Sequence, residues 1–288
     1  MNISSNKTKG ILSIICAGFC FALMTFFVRI SGDLPTMQKS FFRNCVAAVV
    51  AAIILCKDSD KASIQASLRK ENRCNLFLRS LFGTMGLILN FYAIDHLNIS
   101  DANMLNKLSP FFAIIASYFI LKEKATLKDW MSVVIAFIGA LFIIKPSFEL
   151  TSVYALVGAL GGLGAGLAYT FVRKLGLNGV KGPVIVLCFS VFSTLVCLPF
   201  MIFNYHPMTL QQLLILLAAG ISATGGQLCI TKAYTYAPAK ELSVFDYSQV
   251  IFSAILGLIF LSQIPDHLSL IGYLIIILCA VYRSKQKN

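Results

Sequence analysis

Charge is scarce in this sequence, and acid is scarcer than base. Only 12% of its 288 residues are Asp, Glu, Lys or Arg, against about a quarter in an ordinary soluble domain. Tryptophan occurs once and histidine three times. No long polar stretch is present: the widest gap between apolar runs, Lys57 to Asn75, is too short for a folded extramembrane domain. That excludes a receptor with a soluble sensor. The nine Cys form no C-x-x-C pair and no Cys/His cluster, so neither a disulfide framework nor a metal site is expected. H-E-x-x-H and G-x-G-D settings are missing, and Gly220-Ile221-Ser222-Ala223-Thr224 lacks the closing Gly of a nucleophile elbow. No pore loop or ring of like charge suggests an ion channel. An enzyme is not expected, and no cofactor is implied.

What fills the chain instead is hydrocarbon. Hydrophobic residues make up 58% and the mean hydropathy is +0.81. Such a chain takes the bilayer as its solvent, where every backbone polar group must be satisfied internally by helices or a closed barrel. The apolar runs are continuous rather than alternating, which selects helices. Ten spans are predicted, at roughly 11–30, 36–56, 76–96, 102–121, 129–145, 153–173, 183–203, 210–234, 242–261 and 268–283. The first is longer than a signal-peptide core and lacks an A-x-A site, so it is read as retained.

The formal charge of +12 does not point to nucleic acid, because no basic stripe interleaves with aromatics. Lys and Arg sit in alternate gaps. With the N-terminus in the cytoplasm, the inside gaps collect Lys57, Lys61, Arg69, Lys70, Arg73, Lys122, Lys124, Lys128, Arg173, Lys174, Lys181 and Lys240, whereas the outside gaps hold only Lys145. The positive-inside rule then places both termini in the cytoplasm and the protein in the inner membrane.

The two halves echo each other. Leu23, Phe27, Val28 and Arg29 recur as Leu167, Phe171, Val172 and Arg173, 144 residues on; at an offset of 140, Tyr92 to Leu121 lies on Lys232 to Leu261 without a gap. Five spans per half is odd, so the second half enters the membrane upside down: two inverted five-helix repeats, 1–145 and 153–288, as in many secondary transporters. Gly158, Gly162 and Gly166 form a small-residue ridge suited to close helix packing.

One stretch is more specific: Phe91-Tyr92-Ala93-Ile94, Leu97, Ser109-Pro110-Phe111-Phe112-Ala113 and Leu121-Lys122-Glu123-Lys124. It resembles the signature across the third and fourth helices of the EamA family in the drug/metabolite transporter superfamily. Arg43 in Phe41-Phe42-Arg43 is similar to an Arg common in that family's second helix. In the second half Val250 stands where the family has Pro, and Gln263 where it has Glu. The resemblance implies ten helices, a central cavity and alternating access, with cargo ranging from amino acids to nucleoside-like metabolites and drugs.

Ionisable residues inside spans are costly and mark candidate sites. Arg43 and Lys107 lie about 8–10 Å deep, counting 1.5 Å per residue; each either pairs with Asp95 or binds an anionic group. Asp246 is read as a proton-coupling or amine-binding acid, or as half of a buried ion pair. Counted from their span ends, Asp246 falls near the inner face and Lys107 near the outer. In a core of ~30 Å this argues against pairing the two. Arg29, Lys39 and Arg173 are expected to snorkel to headgroups. Asn90, Tyr92, Asn106, Tyr169 and Gln227 complete the candidate substrate site. The leading expectation is a secondary transporter of a small, anionic or zwitterionic metabolite, with a coupling proton or counter-substrate as further partner. A cation or drug exporter using Asp246 is the alternative, and an intramembrane enzyme a more distant one.

Overall fold

The structure, a computed structural model, describes residues 3–96, 105–144, 153–261 and 266–285. Those residues form twelve helices and no strand: α1 Ile3–Ile30, α2 Thr36–Lys57, α3 Lys61–Ser67, α4 Lys70–His96, α5 Ser109–Leu121, α6 Leu127–Ile144, α7 Val153–Leu177, α8 Gly182–Phe203, α9 Leu210–Tyr236, α10 Ala239–Asp246, α11 Ser248–Leu261 and α12 His267–Lys285. Among the described residues six stretches are long and apolar enough to cross a membrane: Asn6–Ile30, Thr36–Lys57, Val153–Leu177, Gly182–Phe203, Leu210–Tyr236 and Ala239–Phe260. Ser109–Leu121 and His267–Tyr282 are shorter apolar helices. The chain is an all-α, multi-pass membrane protein. Large apolar side chains such as Leu12, Val49, Phe119, Leu195, Ile221 and Ile259 stand exposed on its outside, a surface that suits acyl chains rather than water.

Local chemistry sets the helix starts. Pro35 and Pro238 precede α2 and α10, and α8 carries a Pro in its first turn, where the missing N–H costs nothing. Thr209 and Gln212 cap α9 reciprocally, satisfying two donors that the helix leaves free. The polar gap Lys57 to Asn75, expected to be a loop, folds instead. Asp60 accepts the Ser63 N–H at 3.0 Å and starts α3, and α4 begins as early as Lys70.

The glycine ridge of α7 packs on two neighbours. A Cβ on Gly162 would stand 2.6 Å from the Leu105 carbonyl oxygen, and one on Gly166 2.8 Å from that of Ser109. On the adjoining face Gly164 meets Gly86 of α4, where a Cβ would be 2.9 Å from the Gly86 Cα. Only glycine allows α4, α7 and the chain leading into α5 to approach this closely.

The 140-residue register reappears in the helix ends. α4 ends at His96 and α9 at Tyr236; α5 ends at Leu121 and α11 at Leu261. Both halves also break a helix at the same register position. The chain turns at Lys107 and Leu108 before α5, and at Tyr247 between α10 and α11. The packing recurs as well: α4 lies on α7 as α9 lies on α1, α4 on α8 as α9 on α2, and α5 on α7 as α11 on α1.

Candidate functional site

Polar groups converge where the broken helices meet. A cavity of about 140 Å³ is lined by Arg43 of α2, Arg79 and Asn90 of α4, Asn106 before the first break, Tyr169 of α7, Gln227 of α9 and Gln249 of α11, with apolar walls that include Phe21, Met24 and Phe189. Six of the eight side chains singled out in the sequence thus belong here: Arg43, Asn90, Asn106, Tyr169 and Gln227 on the wall, and Lys107 just behind it, donating to Gln249 Oε1 at 2.9 Å.

Lys107 and Asp246 overturn the sequence reading of their separation. Lys107 Nζ lies 3.5 Å from Asp246 Oδ2, both residues 8% exposed. The depth count assumed continuous helices. Both helices are broken, so residues counted from opposite faces come together at the junction. Asp246 is also the last residue of α10, which begins at Ala239, so it is deeper than a span starting at 242 implied. Tyr247 secures the junction by donating from its hydroxyl to the Lys107 carbonyl at 3.2 Å. Lys107 therefore pairs with Asp246; the side chains of Asp95 and His96 lie outside the described residues.

Arg79 is the main residue that sequence reasoning missed. It is 1% exposed, its Nη2 donates to Gln227 Oε1 at 3.1 Å, and its guanidinium carbon sits 4.3 Å from the centre of the Phe189 ring. A span counted from residue 76 puts Arg79 at a membrane edge. The helix starts at Lys70, which places Arg79 roughly 13 Å along it at 1.5 Å per residue.

The two arginines are incompletely satisfied. Nε and Nη1 of Arg43 and Nε of Arg79 are buried and make no hydrogen bond. Arg43 is 7% exposed, and no acid is among the described residues lining the cavity. Buried guanidinium N–H groups without acceptors are costly, so this wall suits a negatively charged guest.

Other candidates lie elsewhere. Tyr92 is 44% exposed, packs against Tyr154 and lines a separate, mostly apolar groove with Leu34, Gln38 and Phe200. Arg29 is exposed, and Lys39 donates to the Gly32 carbonyl at 2.8 Å. Arg173 does not snorkel. Its Nε donates to Glu123 Oε1 at 3.1 Å and its Nη1 to the Thr235 carbonyl at 2.9 Å, clasping the ends of α5, α7 and α9. Lys122, in the left-handed region at φ 59°, turns the chain to bring Glu123 into reach. Beside this clasp Tyr169 stacks on Tyr234 at 5.0 Å. The counterpart helices α1 and α4 both line the cavity, through Met24 and Asn90. Among the described residues no cluster of His, Cys, Asp and Glu could hold a metal ion.

The EamA-like transporter family matches residues 8–145 and 152–282. The chain is 31% identical over 283 residues to the pseudopaline exporter CntI of Pseudomonas aeruginosa, covering 97% of each protein. It is 26% identical to a riboflavin transporter of Vibrio cholerae, over 98% of this chain and 95% of that one. A solved crystal structure superposes with a TM-score of 0.79 at 14% identity, covering 95% of this chain and 96% of the other, a likeness of fold.

Proposed function

The chain belongs to the EamA-like transporter family, is a transporter and not an enzyme, and on that premise we propose that it moves a small organic anion or zwitterion across the cytoplasmic membrane by alternating access. The observation that carries this reading is the pair of buried guanidiniums, Arg43 and Arg79, on a cavity wall whose described residues include no acid. An amino acid or nucleoside-like metabolite with an anionic group fits such a wall. Asp246, the basis for a cation exporter, already holds Lys107, which weighs against that alternative.

Alternating access is supported by the unequal ends of the bundle. Arg173, Glu123 and the Tyr169–Tyr234 stack close one end between α7 and α9, whereas the counterpart helices α1 and α4 both border the cavity. The matching helix ends at offset 140 support two inverted repeats, 1–145 and 153–288, whose exchange of conformations would move the opening to the other face. Ten membrane spans with both termini cytoplasmic follow from the Lys/Arg asymmetry; a periplasmic signal from a reporter fused after Asn288 would contradict it.

The test is transport in proteoliposomes with a panel of labelled anionic, zwitterionic and cationic metabolites. At least one anionic or zwitterionic solute should accumulate, and Arg43→Gln should abolish its transport while leaving the protein folded. Transport of cationic cargo alone, undiminished in Arg43→Gln, would refute the reading. In a cysteine-free background, Thr235→Cys should gain and Met24→Cys lose reactivity with an impermeant thiol reagent supplied to both membrane faces when substrate drives the cycle. Unchanged reactivity at both positions would refute alternating access.

A further inference from the structure

The charges around the cavity do not balance, and the imbalance has a size. Lys107 is neutralised by Asp246 at 3.5 Å, and Arg173 by Glu123 at 3.1 Å. Arg43 and Arg79 remain. The groups that touch Arg79 are neutral: the Gln227 amide and the Phe189 ring. Among the described residues neither arginine has a carboxylate within salt-bridge distance, although both are more than nine-tenths buried. A buried charge is tolerated only with a compensating partner. Arg43 of α2 and Arg79 of α4 both line the cavity, and each carries at least one buried N–H with no acceptor. The two helices therefore bring two uncompensated positive charges to one cavity.

We propose that the guest is a dianion, a small organic molecule presenting two negative charges, one to Arg43 and one to Arg79. This inference rests on the anion reading above and adds its stoichiometry of charge. A guanidinium meets a carboxylate or phosphate through two parallel N–H donors, and a point charge does not replace that fork. The Gln227 amide oxygen positions Arg79, so Gln227 sets how much of the second charge the cavity can take. Gln227→Glu is nearly isosteric, keeps the contact with Arg79, and cancels one of the two positive charges from within. The cavity should then prefer a monoanion. Two carboxylates and a single phosphate group share the dianion chemistry; probes of both kinds separate them.

The experiment measures binding to purified full-length protein by thermal stabilisation and calorimetry at fixed ionic strength. The probes are butyrate, succinate and inorganic phosphate. Wild-type protein should bind succinate or phosphate more tightly than butyrate by roughly ten- to a hundredfold, the value of one charge-assisted contact. Succinate alone would assign two carboxylates, and phosphate alone a phosphoryl group. Gln227→Glu and Arg43→Gln should each reduce that preference to about onefold. Gln227→Glu keeps the shape of the lining and changes only its charge, so it serves if Arg43→Gln fails to fold. Equal binding of butyrate and the dianions by the wild type would overturn the dianion inference and leave the anion reading standing. A preference that survives Gln227→Glu would also overturn it. Binding of none of the three anions would count against both.

Discussion

The Lys107–Asp246 pair offers the sharpest test of how the broken helices are held. Replacing Lys107 by Met keeps most of the side-chain volume and removes the charge. At 3.5 Å two unit charges attract by about 5 kcal/mol with an effective dielectric of about 20. Removing one partner of a buried pair costs about 3–5 kcal/mol in proteins generally. Both residues are 8% exposed, so little solvent screening reduces that figure. Lys107→Met should therefore destabilise by about 3–5 kcal/mol, because Asp246 at the C-terminal end of α10 is left facing helix carbonyls without a cation. Asp246→Asn should also destabilise, since Lys107 keeps only Gln249 and the Asp246 carbonyl, at 2.9 and 3.4 Å. The double variant should recover most of the loss, with a coupling of at least ~2 kcal/mol. Reversible unfolding of the four proteins in mixed micelles closes the cycle. Additivity within ~0.5 kcal/mol would refute the pairing and the junction built on it.

Two further outcomes are expected. Gly162→Leu should lower folded yield and melting temperature sharply, since its Cβ alone would press to 2.6 Å of the Leu105 carbonyl oxygen; wild-type yield would dismiss the ridge. At the rim, Lys181 donates to Asp58 Oδ2 at 2.6 Å, and this hydrogen bond holds the Asp58 carboxyl below its ordinary value and Lys181 above its own. A lowered carboxyl adds stability above about pH 4, lost as pH falls through the folded value, and a raised lysine adds stability below about pH 10, lost as pH rises through it. The melting difference between wild type and Asp58→Asn should be flat in mid-range and shrink at both extremes; a difference that grows in acid would contradict the pairing.

Much of the fold was legible because lipid demands it. Continuous apolar runs mark helices, and the close contacts of Gly162 and Gly166 follow from four-residue spacing alone. The breaks were harder. Pro110 lies just inside α5 and does signal a helix start, so the turn at Lys107 and Leu108 had a local mark. The turn at Tyr247 has none: Val250 replaces the Pro, and neither Gly nor Pro stands between Ala239 and Ile255. Tertiary contact, including the Tyr247 hydroxyl on the Lys107 carbonyl, holds that turn. Without the breaks, depth counting separates Lys107 from Asp246. Arg79 was hidden for a related reason. The polar stretch before it, Lys70 to Asn75, reads as water-exposed, yet Asn72 and Asn75 are buried and Asn72 accepts from Asn178 at 3.1 Å.

The pairing of α1 with α9 and α11 also concerns the order in which the chain is made. α1 leaves the ribosome first, but the helices that cover its apolar side span residues 210–236 and 248–261. Until those are synthesised, α1 has only lipid or a stand-in against it. α4 likewise waits for α7 and α8. Each half finishes the other's packing, so assembly is delayed until translation is nearly complete, and long-range closure of this kind is slow. A nascent chain halted at the midpoint should therefore be a degradation substrate, because the surfaces that would protect it do not yet exist.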